Sequence, residues 1–209
     1  MFVITYKNGK KLCLTTVLKC ASTTALHAAY YPLLGIRAEG RNFIQNQALK
    51  FNPQTMKLTD FPYRIVVIRD PVDRLVSAYG NIFLGKKEHL GFRLNNLKIK
   101  TFLDFVINLK YIESHLRDVR YHTMPIYDSL RHFYPSATTY THIIDSKNIN
   151  TEFVPLIKEI SGVDIPLLHL NSTPLDQKKH YNNIYIKKAI PLIKEIYKKD
   201  YEEYGRYFT

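Results

Sequence analysis

The stretch IVVIRDPVDRLVSAY, residues 65–79, decides the fold class. It opens with four consecutive β-branched residues between charged ones, which is typical of a strand buried on both faces. Asp70 and Pro71 follow, and these residue types are preferred at the N-cap and the first position of a helix. Arg69 leaves the carboxyl end of the strand, where ligands of α/β proteins bind. The stretch predicts a strand–turn–helix unit with a guanidinium that can grip a phosphate; a capped helix with a solvated arginine is the alternative.

A second strand–turn–helix unit lies earlier in the chain. Residues 12–18 (LCLTTVL) read as a strand, and a helix is expected over residues 25–31, ended by Pro32. Between them lie one lysine and five small residues, namely Lys19, Cys20, Ala21, Ser22, Thr23 and Thr24. Small residues let several backbone N–H groups converge on an anion, and the lysine adds a full charge. The segment is a candidate phosphate loop, with a plain structural turn as the alternative, and it is not a Walker A sequence.

The rest of the chain continues the alternation of strands and helices. Strands are predicted at residues 140–144 and 167–170. Helices are predicted at residues 101–116, 151–160 (ended by Gly162) and 182–204 (kinked at Pro191). This alternation predicts the α/β class, with a central parallel sheet and helices on both faces, in a single domain over residues 1–209.

Composition limits the classes of protein and of partner. The chain has 209 residues, 45% of them hydrophobic, which excludes wholesale disorder. No apolar run approaches the ~18–20 residues that span a bilayer, and no signal peptide is recognisable. Cys13 and Cys20 are expected to be reduced and buried, which suits the cytoplasm. The 30 Lys+Arg against 18 Asp+Glu give a charge of +12, so an anionic partner is expected.

Together, the two strand–turn–helix segments resemble the sulfotransferases that use 3′-phosphoadenosine 5′-phosphosulfate (PAPS), particularly the carbohydrate sulfotransferases. The resemblance implies a P-loop-like three-layer fold. That family's R-[DN]-P-x-x-R-x-x-S-x-Y segment matches RDPVDRLVSAY at every defined position. The match implies that Arg69 and Ser77 hold the 3′-phosphate and that Arg74 faces the nucleotide. The loop at residues 19–24 corresponds to the family's 5′-phosphosulfate loop, so its residues are implied to bind the nucleotide.

Three later segments are also similar to the family. His122-Thr123-Met124-Pro125 resembles its H-x-x-P element, although Ile126 stands where glutamine is common. Residues 169–173 (HLNST) resemble the segment that closes over the nucleotide, which implies contacts from Asn171 and Thr173. Residues 197–202 (YKKDYE) are similar to its C-terminal helix.

The resemblance implies transfer of a sulfuryl group from PAPS to a carbohydrate hydroxyl, with 3′-phosphoadenosine 5′-phosphate (PAP) as the product. Lys19 would stabilise charge on the leaving phosphate, so no metal is expected. Glu39 lies 20 residues after Lys19, as the base does in the glucosaminyl 3-O-sulfotransferases, and is the expected general base. A surface carboxylate is the alternative for Glu39, and His27 and His122 are alternative bases.

Two other functions stay open at this point: an ATP-dependent kinase or other phosphotransferase, and a non-catalytic binder of anions. The acceptor is expected to be a glycan or glycolipid, and the surplus positive charge favours an anionic one or contact with a membrane surface. No nucleic-acid motif is present, so nucleic acid is not an expected partner. A bacterial cytoplasmic enzyme is predicted, with the excised luminal domain of a Golgi enzyme as the alternative.

Overall fold

The computed structural model describes residues 1–35, 49–50, 56–81, 99–130, 137–166 and 183–209. The chain forms two compact units. The first comprises Met1–Arg69, Leu130–Asn171 and Tyr207–Thr209, and the second comprises Asp70–Ser129 and Ser172–Arg206. The chain therefore first passes from one unit to the other inside the RDP sequence, between Arg69 and Asp70.

The first unit is built on a sheet of five strands in the order β3-β1-β2-β4-β5. Its strands are β1 (Phe2–Thr5), β2 (Lys11–Thr16), β3 (Leu49–Lys50), β4 (Tyr63–Ile68) and β5 (His142–Asp145). The helices, in chain order, are α1 (Ser22–Leu34), α2 (Pro71–Tyr79), α3 (Phe102–Ile107), α4 (Leu109–His115), α5 (Arg117–Thr123), α6 (Ile126–Leu130), α7 (Val154–Ser161), α8 (Asn183–Ile196) and α9 (Lys198–Tyr204).

The sheet is mixed, whereas the sequence predicted a parallel one. Strands β2, β4 and β5 are parallel to each other, but β1 is antiparallel to both of its neighbours. The reason is the connection from β1 to β2, which is a tight turn closed by a 2.9 Å hydrogen bond from the Tyr6 amide to the Lys10 carbonyl, with Gly9 at φ 80°. A connection this short can join only antiparallel strands.

Alternate residues of the strands face two separate apolar layers. Ile4, Leu12 and Leu14 pack with Ile65 and Val67 against α1 and α7. Residues of the opposite parity, Val3 and Cys13, pack on the other face with Leu58 and Phe61. The buried β4 run IVVI thus confirms the predicted strand covered on both sides.

Two helices of the first unit end at glycines with positive φ. α1 runs through Pro32 to Leu34, so the predicted end at residue 31 is wrong. Pro32 removes one helical hydrogen bond, but the last turn is retained because the Gly35 amide, at φ 65°, donates to the Tyr31 carbonyl at 2.9 Å. α7 ends at Gly162, with φ 75°, as predicted.

The second unit is helical, and two of its helix boundaries differ from the prediction. The segment 101–116 forms two helices that part at Asn108, whose side chain donates to the Asp104 carbonyl at 2.8 Å and so competes with the helical pattern. α8 continues through Pro191, and the break falls at Tyr197 instead. The strand predicted at residues 167–170 lies outside the described residues. None of the helices in the described ranges is long and apolar enough to cross a membrane.

Candidate functional site

The turn between β2 and α1 has an unusual backbone. Lys19 (φ 67°) and Ala21 (φ 50°) adopt left-handed conformations, and no other non-glycine residue in the described part of the chain has positive φ. The Cys20 amide closes the turn by donating to the Val17 carbonyl at 3.2 Å. Each left-handed residue with a Cβ costs on the order of 1–2 kcal/mol. Such strain clusters at ligand-binding sites.

The same turn leads directly into the N-terminus of α1. Ala21 is the N-cap, has no side chain that can accept a hydrogen bond from the helix, and is followed by buried Ser22 and Thr24 and half-buried Thr23. The first amides of a helix have no acceptor within the helix, and the helix dipole gives this end a positive potential. The structure therefore joins the predicted loop residues 19–24, two of them with left-handed φ, to a helix N-terminus, and we call this segment the anion cradle.

Arg69 lies beside the anion cradle within the first unit. Parallel pairing of β2 and β4 sets Thr16 opposite Val67, so the two strands end at the same edge of the sheet. The half-buried Arg69 side chain points its Nη1 atom at the carbonyl of Lys19, at 3.4 Å, which is long for a hydrogen bond. The two predicted cationic residues are thus neighbours, and among the described residues the Arg69 guanidinium makes no shorter hydrogen bond than this one.

His27 is buried in α1, with 7% of its surface exposed. Burial lowers the pKa of its imidazole, which is therefore neutral near pH 7. A neutral ring is the form that accepts a proton, but so little exposure leaves the ring almost inaccessible to an acceptor hydroxyl.

Arg74, the second arginine of the motif, lies in the second unit and is buried, with 1% exposed. Its Nη2 atom donates to the Thr123 carbonyl at 2.8 Å and also to the Met124 carbonyl. The central carbon of its guanidinium lies 5.6 Å from the centre of the Tyr197 ring, which makes a cation–π contact. The prediction that Arg74 faces the nucleotide is wrong, because one turn into α2 its side chain lies on the buried stripe of the helix with Leu75 and Ala78.

The C-terminal segment bonds to the turn between α5 and α6, which is also the turn that Arg74 contacts. The Tyr197 hydroxyl donates to the Thr123 carbonyl at 2.6 Å. The two carboxylate oxygens of Asp200 accept from the amides of Ile126 and Tyr127, each at 2.8 Å. Burial raises the pKa of Asp200. Residues 70–79 of the motif thus meet the segments at residues 122–125 and 197–202, which are similar to the same family, within the second unit.

Sequence reasoning overlooked Asp200, although the sequence carries a signal for it. Within the C-terminal segment, Ile193, Tyr197, Asp200 and Tyr204 are spaced so that they share one helix face, and all four are buried. An aspartate on an apolar stripe needs a buried partner. The pattern therefore predicts a structural carboxylate, and the backbone amides of α6 are what it binds.

Comparison with known proteins identifies the family of the chain. A sequence profile of the sulfotransferase family matches residues 3–207, nearly the whole chain. The chain belongs to the sulfotransferase family. No curated protein and no solved structure matched it.

The remaining predicted site residues of this sulfotransferase divide into two groups. Ser77 lies in α2 of the second unit and is half-buried. Glu39, Asn171 and Thr173 lie outside the described residues. Within the described ranges, no three metal-ligating side chains are grouped. The structure brings together Lys19, the loop to Thr24 and Arg69. These residues are the part of the candidate site on which a functional proposal can rest.

Proposed function

We propose that this sulfotransferase transfers a sulfuryl group from PAPS to a hydroxyl of a carbohydrate acceptor, a glycan or a glycolipid, by in-line displacement. The observation that carries the proposal is the anion cradle, a strained turn at Lys19–Ala21 that leads into the N-terminus of α1 and has Arg69 at its side. A donor with two phosphate groups and a sulfate needs several positive groups in one place. The cradle amides, the Lys19 ammonium and the Arg69 guanidinium supply them.

The reaction makes one bond and breaks one. The acceptor oxygen forms a bond to sulfur as the bond between sulfur and the oxygen of the 5′-phosphate breaks. The electron pair of the broken bond stays on that phosphate, and PAP leaves with the added negative charge. Lys19 and the first amides of α1 stabilise this charge, which grows in the transition state.

The acceptor hydroxyl must lose its proton to a base during the attack. We assign this role to Glu39, on the resemblance of residues 36–43 to the glucosaminyl 3-O-sulfotransferases. His27 and His122 are the alternative bases. The burial of His27 argues against it, whereas His122 is half-buried at the end of α5.

The finer features of the fold are part of the same proposal. An anion cradle that follows the parallel strand β2, beside parallel β4 and β5, supports a P-loop-like three-layer arrangement. A single family profile over residues 3–207 supports one catalytic domain. Cys13 and Cys20 are buried thiols, which supports a reducing compartment such as a bacterial cytoplasm, and burial raises the pKa of the Cys13 thiol to about 11, which makes it unreactive.

Transfer of radiolabelled sulfate from PAPS to a panel of glycans and glycolipids tests the proposal. Lys19→Met should lower kcat about 10²–10³-fold, the typical cost of removing one group that stabilises transition-state charge. Lys158→Met, at an exposed lysine of the same unit that pairs with Asp164, is the matched control and should leave kcat unchanged.

The same assay separates the candidate bases and the competing functions. Glu39→Gln should abolish transfer while leaving PAP affinity intact, and loss in His122→Gln alone would move the role to His122. Turnover of ATP with Mg²⁺ and none of PAPS would favour the kinase alternative. A folded wild-type protein that neither binds PAP nor transfers sulfate to any acceptor would overturn the proposal.

A further inference from the structure

A groove of about 540 Å³ lies in the first unit, between the edge of β5 and one side of α7. On the strand side it is lined by the four consecutive residues 141–144. The lining residues on the helical side have spacings of three and four positions, so they share one helix face, and they are Glu152, Pro155, Leu156 and Glu159. The groove therefore follows a strand and a helix together, and we call it the β5–α7 groove.

The strand side of the groove is a sheet edge. Among the described residues, β5 is the last strand of the sheet and pairs only with β4. The Thr141 amide donates to the Arg64 carbonyl of β4 at 2.8 Å, and successive residues of a strand direct their backbone groups to opposite edges. The backbone groups of His142 and Ile144 therefore face away from β4. Such an edge is a template on which another chain can pair.

The helical side of the groove has a carboxylate at each end, with a proline and a leucine between them. Within the described part of the chain, the Glu159 carboxylate has no hydrogen bond or ion pair, and the Glu152 carboxylate accepts only from the Asn148 side chain, at 2.8 Å. The Lys10 ammonium lies 3.4 Å from the carbonyl of Glu159 and does not pair with its carboxylate. The groove is thus acidic and partly apolar, on a chain with a net charge of +12.

These features favour an extended peptide with basic side chains over a second copy of this chain. Two copies paired through β5 by two-fold symmetry would gather four carboxylates in one groove, and like charges repel. Glu152 and Glu159 are seven positions apart, which is about 10 Å along a helix. Side chains of an added strand reach the helix at every second position, so basic residues four positions apart, with an apolar one between them, fit this face.

We propose that the β5–α7 groove is a docking site for an extended peptide segment of another protein. The segment adds a strand to the edge of β5, sets two basic side chains on Glu152 and Glu159, and packs an apolar one on Pro155 and Leu156. This inference does not depend on the proposed sulfuryl transfer. It gives the chain a protein partner in addition to the nucleotide and the acceptor.

Fluorescence anisotropy with a labelled pentapeptide, Lys-Thr-Val-Thr-Lys capped at both ends, tests the proposal. It should bind at least about tenfold more tightly than Glu-Thr-Val-Thr-Glu, which reverses the charges, or than Lys-Lys-Thr-Thr-Val, which keeps the composition and loses the spacing. Equal affinities for the three peptides would overturn the proposal, and so would no binding of the first.

Charge reversal separates the groove from the charge of the whole protein. Glu152→Lys combined with Glu159→Lys should weaken binding of the first peptide at least about tenfold, because each change replaces an attraction by a repulsion. Glu195→Lys combined with Glu202→Lys, at exposed glutamates of α8 and α9, changes the net charge equally and is the matched control. Equal losses in the two double variants would overturn the site. PAP affinity should be unchanged in both, so this outcome does not depend on the proposed function.

Hydrogen exchange measured by NMR tests the addition of a strand. The amides of His142 and Ile144 should exchange more slowly at saturating peptide, while the Thr141 amide, which is already bonded to β4, is the internal control. Unchanged exchange with the peptide bound would overturn the proposed pairing. Slower exchange at higher protein concentration, without peptide, would identify a second copy as the occupant and would also overturn the proposal.

Discussion

Arg69 and Arg74 belong to one motif, yet their surroundings are opposite. Arg69 follows the last residue of a strand, where its side chain leaves the sheet edge beside the Lys19 carbonyl. Arg74 falls on the buried stripe of α2, where it donates to two backbone carbonyls at a helix end. A motif pattern shows that both are arginine, but only the strand end and the helix phase show which one can reach a ligand.

The buried His27 predicts a dependence of stability on pH. Its pKa is lowered in the folded state, so the unfolded chain binds the proton more tightly and stability falls as the pH drops below the unfolded value of about 6.5. Urea unfolding at pH 7.5 and 5.5 should therefore show a smaller loss in His27→Gln than in the wild type. Equal losses in the two proteins would contradict the burial of this ring.

Asp200 predicts a graded pair of stability effects. Asp200→Asn keeps one acceptor oxygen for the two α6 amides, so it should lower the free energy of unfolding by about 1–3 kcal/mol. Asp200→Ala leaves both amides and the neighbouring Arg74 without the carboxylate and should cost about 3–5 kcal/mol. Denaturant titration measures both. Glu202→Ala on the exposed face of α9 is the control, and a cost for Asp200→Ala no larger than the control's would refute the bonding described here.

At the scale of elements, the anion cradle depends on a backbone that ordinary side chains resist. Ala21, at φ 50°, tolerates the left-handed conformation only with strain, and a β-branched residue tolerates it less. Ala21→Val should therefore lower stability by at least about 1 kcal/mol and weaken PAP binding, whereas Ala21→Gly should leave PAP affinity intact. Thermal unfolding and calorimetry give the two quantities. Strong PAP binding by a folded Ala21→Val protein would show that the left-handed backbone at residue 21 is not needed.

Elements set by neighbouring residues were predictable, and those set by distant contacts were not. The cap of Asp70 on Val72 and the end of α7 at Gly162 depend on chemistry within a few residues, and the sequence shows it directly. The break falls at Tyr197, whose buried hydroxyl bonds to the carbonyl of Thr123, 74 positions earlier. Propensity alone placed that break at Pro191, a residue that α8 accommodates because Ala189 and Ile193 pack in the core of the second unit.

The candidate site followed the same rule. The sequence predicted that the loop at residues 19–24 and Arg69 each follow a strand and bind the same nucleotide, and the parallel pairing of β2 and β4 brings the two strand ends to one edge of the sheet. The convergence of Arg74, Tyr197 and Asp200 on the turn between α5 and α6 was not predicted, since nothing in a linear pattern shows it. Glu39 is a prediction that these contacts do not test.

At the scale of the whole molecule, the charge of +12 exceeds what the cofactor needs, because Lys19 and Arg69 are two of 30 basic residues. We expect an anionic acceptor to use the rest. The acceptor KM should then rise steeply between 0.05 and 0.5 M salt, in roughly the range where the Debye length shrinks from above 10 Å towards about 3 Å. A neutral acceptor analogue is the control, and a salt-independent KM for the true acceptor would contradict the expectation.

The central claim is that this chain uses the anion cradle and Arg69 to bind a nucleotide with phosphate groups on both the 3′ and the 5′ position of its ribose. Calorimetric titration with PAP and with 5′-AMP, which lacks the 3′-phosphate, tests it most directly. The wild type should bind PAP at least about tenfold more tightly than 5′-AMP, because one charge-assisted contact contributes about 1.5–3 kcal/mol. Arg69→Ala should lose that preference, while Arg117→Ala, an exposed arginine, should keep it. Equal affinities of the wild type for the two nucleotides, or no binding of either, would contradict the account.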